Sequence, residues 1–344
     1  MNSFKKEKVH LPLSATWLMN SISDYKGKQE LYTRQSPQIL KTLVEMALIE
    51  SAESSNRIEG VTVDRARLKP LIIGHARPRD RSEEEVAGYR KALDWIHRKH
   101  ESLEISPEVI LELHRLSRGE AGDAGEWKKR DNEIVRKNPD GSMDVIYKAT
   151  RAAETSKAIE QTCRLYHHSI DQLKYPSIYA IACLVLDFLC IHPFRDGNGR
   201  VSRLLTILAL YHHGYSVGKY ISLERIVEQT KETYYESLNK SSQEWHKAKH
   251  DIMPWLNYFL GMLLSAYKEF ENRASHLKPG RGSKTALVID AIEKAVGDFS
   301  ISDIQHACPN VSRVMVKKVL FQMQKDKRIK SLGKGQSAKW TRLR

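Results

Sequence analysis

Two strongly apolar stretches, Ser177–Cys190 and about Arg200–His212, read as helices. Both run into the segment His192-Pro193-Phe194-Arg195-Asp196-Gly197-Asn198-Gly199-Arg200-Val201-Ser202-Arg203. A short loop between two buried helices is held rigid at both ends, so this junction constrains the fold more than any other feature of the chain. Gly197 and Gly199 permit a backbone path with main-chain N–H groups turned inward. Such a turn entering a helix N-terminus favours an anion, because unsatisfied N–H groups and the helix dipole act together. Arg200 and Arg203 stand three apart on the first turn of the second helix, on one face. Two guanidiniums beside that turn suit a di- or triphosphate better than a lone carboxylate. Asp196 supplies a hard oxygen suited to Mg2+, and His192 can take a proton near neutral pH. Singly, each has a bland reading: a His beside Pro is usually structural and a lone GxG is weak. Together they describe one site for phosphorus chemistry.

The rest of the chain reads as mainly helical. Apolar positions from Ile39 to Ile49 recur at helical spacing, predicting an amphipathic helix over Pro37–Asn56 with Gly60 placed to end it. Further helices are expected over Glu83–His100, over Pro107–Leu116 behind the N-cap Ser106, and over about Arg151–His167. Two more are expected between Leu223 and Asn272, whereas the first 35 residues give no clear pattern. One segment looks extended: Asn132–Arg136 and Met143–Tyr147 flank Asn138-Pro139-Asp140-Gly141, the signature of a β-hairpin.

A length of 344 residues suggests two to three domains, and 41% apolar with 28% charged residues is enough for a sizeable core. No run approaches the ~20 apolar residues of a membrane span, and Met1–Lys8 lacks the apolar stretch of a signal peptide. Four cysteines, Cys163, Cys183, Cys190 and Cys308, show no CxxC pairing and read as small buried hydrophobes. A cytoplasmic setting without a membrane is expected.

The 192–203 loop resembles the signature of the Fic family, His-x-Phe-x-Asp/Glu-Gly-Asn-Gly-Arg-x-x-Arg, at every fixed position. The resemblance implies a helical core with a hairpin flap that transfers AMP from ATP-Mg2+ to a Ser, Thr or Tyr hydroxyl of a target protein or of itself. By position it implies His192 as general base, Phe194 as core anchor and Asp196 as Mg2+ ligand. Asn198 with the Gly197 and Gly199 amides would position the phosphates, Arg200 would face the β-phosphate and Arg203 the γ-phosphate. Relatives that transfer phosphate replace the second glycine, so an intact Gly199 implies AMP transfer. The hairpin at about Asn132–Tyr147 would be the flap that pins a target by strand addition, an ordinary structural hairpin being the alternative. Upstream, Gly125-Glu126-Trp127-Lys128 departs from the commoner Gly-x-x-Arg form and leaves the flap register open.

Ser55-Asn56-Arg57-Ile58-Glu59-Gly60 resembles the family's inhibitory pattern, Ser/Thr-x-x-x-Glu-Gly/Asn. That implies an N-terminal inhibitory helix whose Glu59 pairs with Arg203 and takes the charge a γ-phosphate needs; a solvated helix-end carboxylate is the alternative. Tyr234 and Tyr235 fall where relatives place aromatics near adenine, and Tyr235 is the ATP-binding candidate. Trp255, Tyr258 and Phe259 read as core.

The net charge of +14 is unevenly distributed: residues 283–344 carry 13 Lys/Arg against 5 Asp/Glu, a net +8. Helices over Thr285–Lys294, Ser302–Cys308 and Ser312–Lys325, with caps at Ser300 or Ser302, precede two short strands around Gly333-Lys334-Gly335. Val314, Val316, Val319, Leu320 and Met323 are expected to face inward, with Arg313, Lys317 and Lys318 outside. This resembles a winged helix-turn-helix, open to a solvated basic face, duplex DNA or protein docking. The expected organisation is an N-terminal helical region 1–100 with the inhibitory helix at about 37–60, a Fic catalytic core 101–275, a linker 276–283 and a winged helix 284–344. An alternative is a DNA-binding transcriptional regulator whose Fic core senses nucleotide. A homodimer is left open.

Overall fold

The computed structural model describes residues 2–5, 9–35, 37–72, 74, 76–119, 121–137, 142–276, 283–295, 297–308, 311–333 and 338–343. The chain groups into two units, Met1–Gly27 with Ala47–Lys268 and Lys28–Met46 with Glu269–Arg344. Residues 28–46, read from sequence as part of an N-terminal region, thus group with the C-terminal segment.

The helices are α1 (Leu13–Gln35), α2 (Pro37–Ile58), α3 (Arg65–Ile72), α4 (Arg81–Lys99) and α5 (Pro107–Arg118). A two-stranded sheet of β1 (Glu133–Lys137) and β2 (Met143–Lys148) follows, then α6 (Ala152–Asp171), α7 (Ser177–Ile191), α8 (Asn198–His212), α9 (Leu223–Gln229), α10 (Lys231–Ser242) and α11 (Met253–His276).

The first unit is built around α7 and α8. From Ile178 to Phe188 every residue of α7 is buried, and so is Arg200–Tyr211 of α8. A helix apolar all round can only sit inside other helices, and α7 packs on α6, α8 and α10, while α4 and α5 pack on each other and on α8. Asp187, the one carboxylate on α7, lies wholly inside and accepts from Ser3 Oγ at 2.6 Å and Trp245 Nε1 at 2.6 Å, tying the N-terminal residues to the core. Ser106 caps α5 as expected, accepting from the Val109 amide at 3.3 Å ahead of Pro107.

The hairpin is antiparallel with an irregularity between Ile134 and Val135. Tyr147 points inward, and Val135 and Val145 stay exposed. Its predicted turn, Asn138–Gly141, lies outside the described residues.

Three expectations need correction. The first 35 residues contain the long helix α1; Leu13 and Trp17 face out while Ala15 and Ile22 face in, so too few apolar positions mark its period. Helix α3 went unread, its period broken by the internal Pro70. The two helices expected between Leu223 and Asn272 are three, because α9 and α10 are separated by Thr230.

In the second unit, α12 (Ser283–Lys294), β3 (Phe299–Ser300), α13 (Ile301–Ala307), α14 (Arg313–Lys325), β4 (Ile329–Ser331) and β5 (Lys339–Arg342) follow in order, the sheet running β3-β5-β4. Ser300 caps α13 in a capping box with Asp303, and Ser312 caps α14. Val316, Val319, Leu320 and Met323 join an apolar core with Val288, Ile292 and Trp340. Val314, expected inside, is 77% exposed: it lies on the side of the helix opposite that stripe. Most of the expected linker, 277–282, and the wing residues 334–337 lie outside the described residues.

All four cysteines are buried and form no disulfide among the described residues, and burial pushes the thiols of Cys163 and Cys190 up to about 12. Among the described residues no helix is long and apolar enough to cross a membrane.

Candidate active site

The 192–203 loop is fixed from three sides. Helix α7 ends at His192, which adopts φ 51° and ψ 62°, an uncommon left-handed conformation for a side-chain-bearing residue. Phe194 is fully buried, its ring stacked on His114 at 3.7 Å and on Trp127 at 5.1 Å. The Gly125 amide donates to His114 Nδ1 at 3.0 Å, so the neutral ring carries its proton on Nε2 and donates to the Asp196 carbonyl at 3.1 Å. Burial keeps this imidazole neutral, with its pKa lowered to about 4. Asn198 closes the loop on itself: its Oδ1 accepts from the Phe194 amide at 2.9 Å and its Nδ2 donates to the Phe194 carbonyl at 2.8 Å. These two bonds brace the turn, and the second N–H of the Asn198 amide is not used by either of them. Lys128 sits where the Gly-x-x-Arg form has arginine, and Nζ donates to the carbonyls of Ile191 (3.1 Å) and His192 (2.9 Å). Gly197 begins α8 at φ 84°, a conformation that only glycine adopts cheaply.

His192, Gly199, Arg203, Glu59, Tyr235 and Asn239 line one cavity of about 180 Å³, with Leu186, Leu189 and Leu238 among its apolar walls. Burial lowers the His192 pKa to about 4, and the Lys128 ammonium adds to the effect. A neutral imidazole at the mouth of a cavity is able to accept a proton.

Arg203 is held by the end of α2. Its Nε donates to Ser55 Oγ at 2.9 Å, and its Nη2 to the Ser55 carbonyl at 2.9 Å and to Glu59 Oε1 at 2.8 Å. A Cβ at Gly199 would overlap Glu59 Oε1 and lie 3.2 Å from Arg203 Nη1. Nη1 is buried without a partner among the described residues. Thus the Glu59 carboxylate rests on the glycine turn, beside an arginine with one donor unspent. Gly60 follows, exposed, at φ 81°.

Arg200 is held differently. Its Nη1 meets Glu85 Oε2 at 2.7 Å, with both side chains almost inaccessible, and Asn56 Oδ1 lies at 3.4 Å. Glu85 Oε1 also accepts from Arg118 Nη1 at 2.8 Å, and that same atom reaches Asp196 Oδ2 at 2.7 Å. Glu85 and Arg118 were not singled out from sequence, although Glu85 shares the α4 face with buried Tyr89, Ala92 and Ile96, a place where a charge needs a partner.

Asp196 is half exposed and ringed by Arg118, Arg81 at 3.3 Å and Arg200 at 3.5 Å. Among the described residues no three metal-ligating side chains gather. One accessible carboxylate fits Mg2+ that arrives with phosphate oxygens, not a resident ion in an all-protein cage. Tyr234 and Tyr235 both line the cavity, Tyr235 half exposed and Tyr234 buried against Trp255 and Tyr258. A further unread residue, Lys231, donates from Nζ to the Ile58 carbonyl at 2.6 Å, pinning the last turn of α2.

Residues 104–210 match the model of the Fic/DOC family. A protein adenylyltransferase Fic of Drosophila persimilis is 26% identical over 230 residues, which span 65% of this chain but only 41% of that relative. A Fido domain-containing protein of Dictyostelium discoideum is 28% identical over 137 residues, 39% of this chain and 89% of its own. A crystal structure of a Fic family protein from Desulfovibrio desulfuricans superposes with a TM-score of 0.64 over 98% of both chains, and at 19% identity this is a likeness of fold. The loop stapled by a buried phenylalanine and the helix entered through a glycine turn lie within the same span, residues 104–210, that is similar to the Fic/DOC family.

Proposed function

We propose that this chain is an autoinhibited protein adenylyltransferase. The observation that carries the reading is the Glu59 carboxylate lying on Gly199 and paired with Arg203, in the same cavity as a neutral His192. An anion already sits where the turn favours one.

In the transfer, a target hydroxyl oxygen attacks the α-phosphorus of ATP. His192 takes the hydroxyl proton, the bond from the α-phosphorus to the bridging oxygen breaks, and pyrophosphate leaves with that electron pair. His192 contributes the ~10²–10⁴-fold of a positioned base. Arg203, once Glu59 withdraws, offers Nη1 and Nη2 to the terminal phosphate, while Arg200, locked by Glu85, supplies a fixed positive field. Asn198 and Phe194 keep the turn in shape. Asp196 would hold Mg2+ arriving with the phosphates, and the ion would supply further charge neutralisation on the leaving group. The cavity's apolar walls and Tyr235 suit a planar base, and the exposed edge of the β1–β2 hairpin suits strand pairing with a target.

We read residues 284–344 as a winged helix and, from buried cysteines that form no disulfide among the described residues, place the protein in a reducing compartment. Incubating wild type, Glu59→Gly and His192→Ala with Mg2+ and ATP labelled at the α- or γ-phosphate tests the reaction. α-Label on protein, strongest in Glu59→Gly and absent in His192→Ala, is expected. γ-Label alone, or none in any variant, would overturn it.

A further inference from the structure

Helix α14 presents a ridge that the core of its unit does not use. Val314, Lys318, Phe321 and Lys325 follow one another at spacings of four, three and four, so they line up on one face. All four are exposed, Val314 by 77% and Phe321 by 62%. Arg313 and Lys317 flank the ridge, also exposed, and the helix sequence RVMVKKVLFQMQK contains no acidic residue. The ring of Phe321 stands edge-on to Trp340 at 6.0 Å, which brings β5 beside the same ridge. Lys330 on β4 and Lys339 on β5 are exposed as well.

We propose that this face of α14 docks in the major groove of duplex DNA. A major groove admits one α-helix and is walled by phosphates. Lysines spaced along the helix meet those phosphates, and isolated apolar side chains between them can pack on thymine methyl groups. A protein-docking face would join its apolar residues into a patch; here lysines interrupt them. The net charge of +8 over residues 283–344 complements a polyanion. This inference stands apart from the transfer chemistry.

The test uses the full chain and a fluorescent mixed-sequence duplex, with anisotropy read at 50 and 200 mM KCl. If Arg313, Lys317, Lys318, Lys325 and Lys330 each neutralise one phosphate, the slope of log K against log salt is about −4.5, a loss of roughly 500-fold between those conditions. Lys317→Gln with Lys318→Gln should flatten the slope by about 2 units, while Phe321→Ala should weaken binding and leave the slope in place. Both variants should still take α-label from ATP as the parent does, which separates this outcome from any failure of the transferase. No binding at 50 mM KCl, or binding with an unchanged slope in the double lysine variant, overturns the proposal. Docking of α14 on a protein without duplex affinity overturns it equally.

Discussion

Two carboxylate–arginine pairs stand at the head of α8 and differ in everything except chemistry. Glu85 and Arg200 are 4% and 1% exposed, and Glu85 is shared with Arg118 and Arg81. Glu59 is 29% exposed beside an Arg203 of 6%, and its carboxylate has that one ionic partner among the described residues. Removing one member of the first pair strands charge in a low dielectric; releasing Glu59 returns a carboxylate to water. On the proposed reading the first pair is a fixture and the second a latch. Arg203 keeps Ser55 Oγ and the Ser55 carbonyl when Glu59 leaves, so its guanidinium stays in place for an incoming anion.

The sharpest way to break this contrast is Glu85→Gln. It removes the buried carboxylate that Arg200 and Arg118 share and should cost ~3–5 kcal/mol in denaturant unfolding, against a smaller cost for Glu59→Gln, where Arg203 alone loses a counter-charge and keeps its two bonds to Ser55. A Glu85→Gln cost as small as that of Glu59→Gln erases the distinction.

Acid should strike the fixture's surroundings next. His97, His114 and His192 are all held near a pKa of about 4 by burial. Their unfolded value is about 6.5, so between pH 6.5 and 4 the unfolded chain binds more protons than the folded one. Stability is full above about pH 6.5 and falls as pH drops through that window, by up to ~3 kcal/mol per histidine at its lower end. Thermal melts from pH 7.5 to 4.5 read this out, and His114→Phe should reduce the slope; a flat profile contradicts the assigned neutral rings.

The smallest effect belongs to the latch's mounting. Lys231 pins the Ile58 carbonyl, so Lys231→Met should loosen Glu59 without deleting it and raise AMP transfer roughly 2–5-fold, below the 5–150-fold range of a full coupling. A variant slower than its parent would place Lys231 in the transfer itself.

What could be read in advance follows from continuity along the chain. The glycine-bearing loop is twelve consecutive residues, and Ser55 to Glu59 is one short stretch, so both are visible as text. Glu85, His114, Arg118 and Lys128 come from other elements and join the loop only through folding, as Lys231 joins the end of α2. Asn198 shows a limit of another sort: the bracing of the turn by its two bonds to Phe194 is visible only in the fold. Val314 is apolar yet exposed, because the buried stripe of α14 is set by Val316, Val319, Leu320 and Met323 on its opposite side.

The initial rate of α-labelled AMP transfer by Glu59→Gln, compared with wild type at equal ATP and Mg2+, addresses the latch with the least disturbance, since the side chain keeps its shape and loses only its charge. A rise of at least about 5-fold is expected. Equal rates would mean that the carboxylate on Gly199 does not restrain the phosphate site.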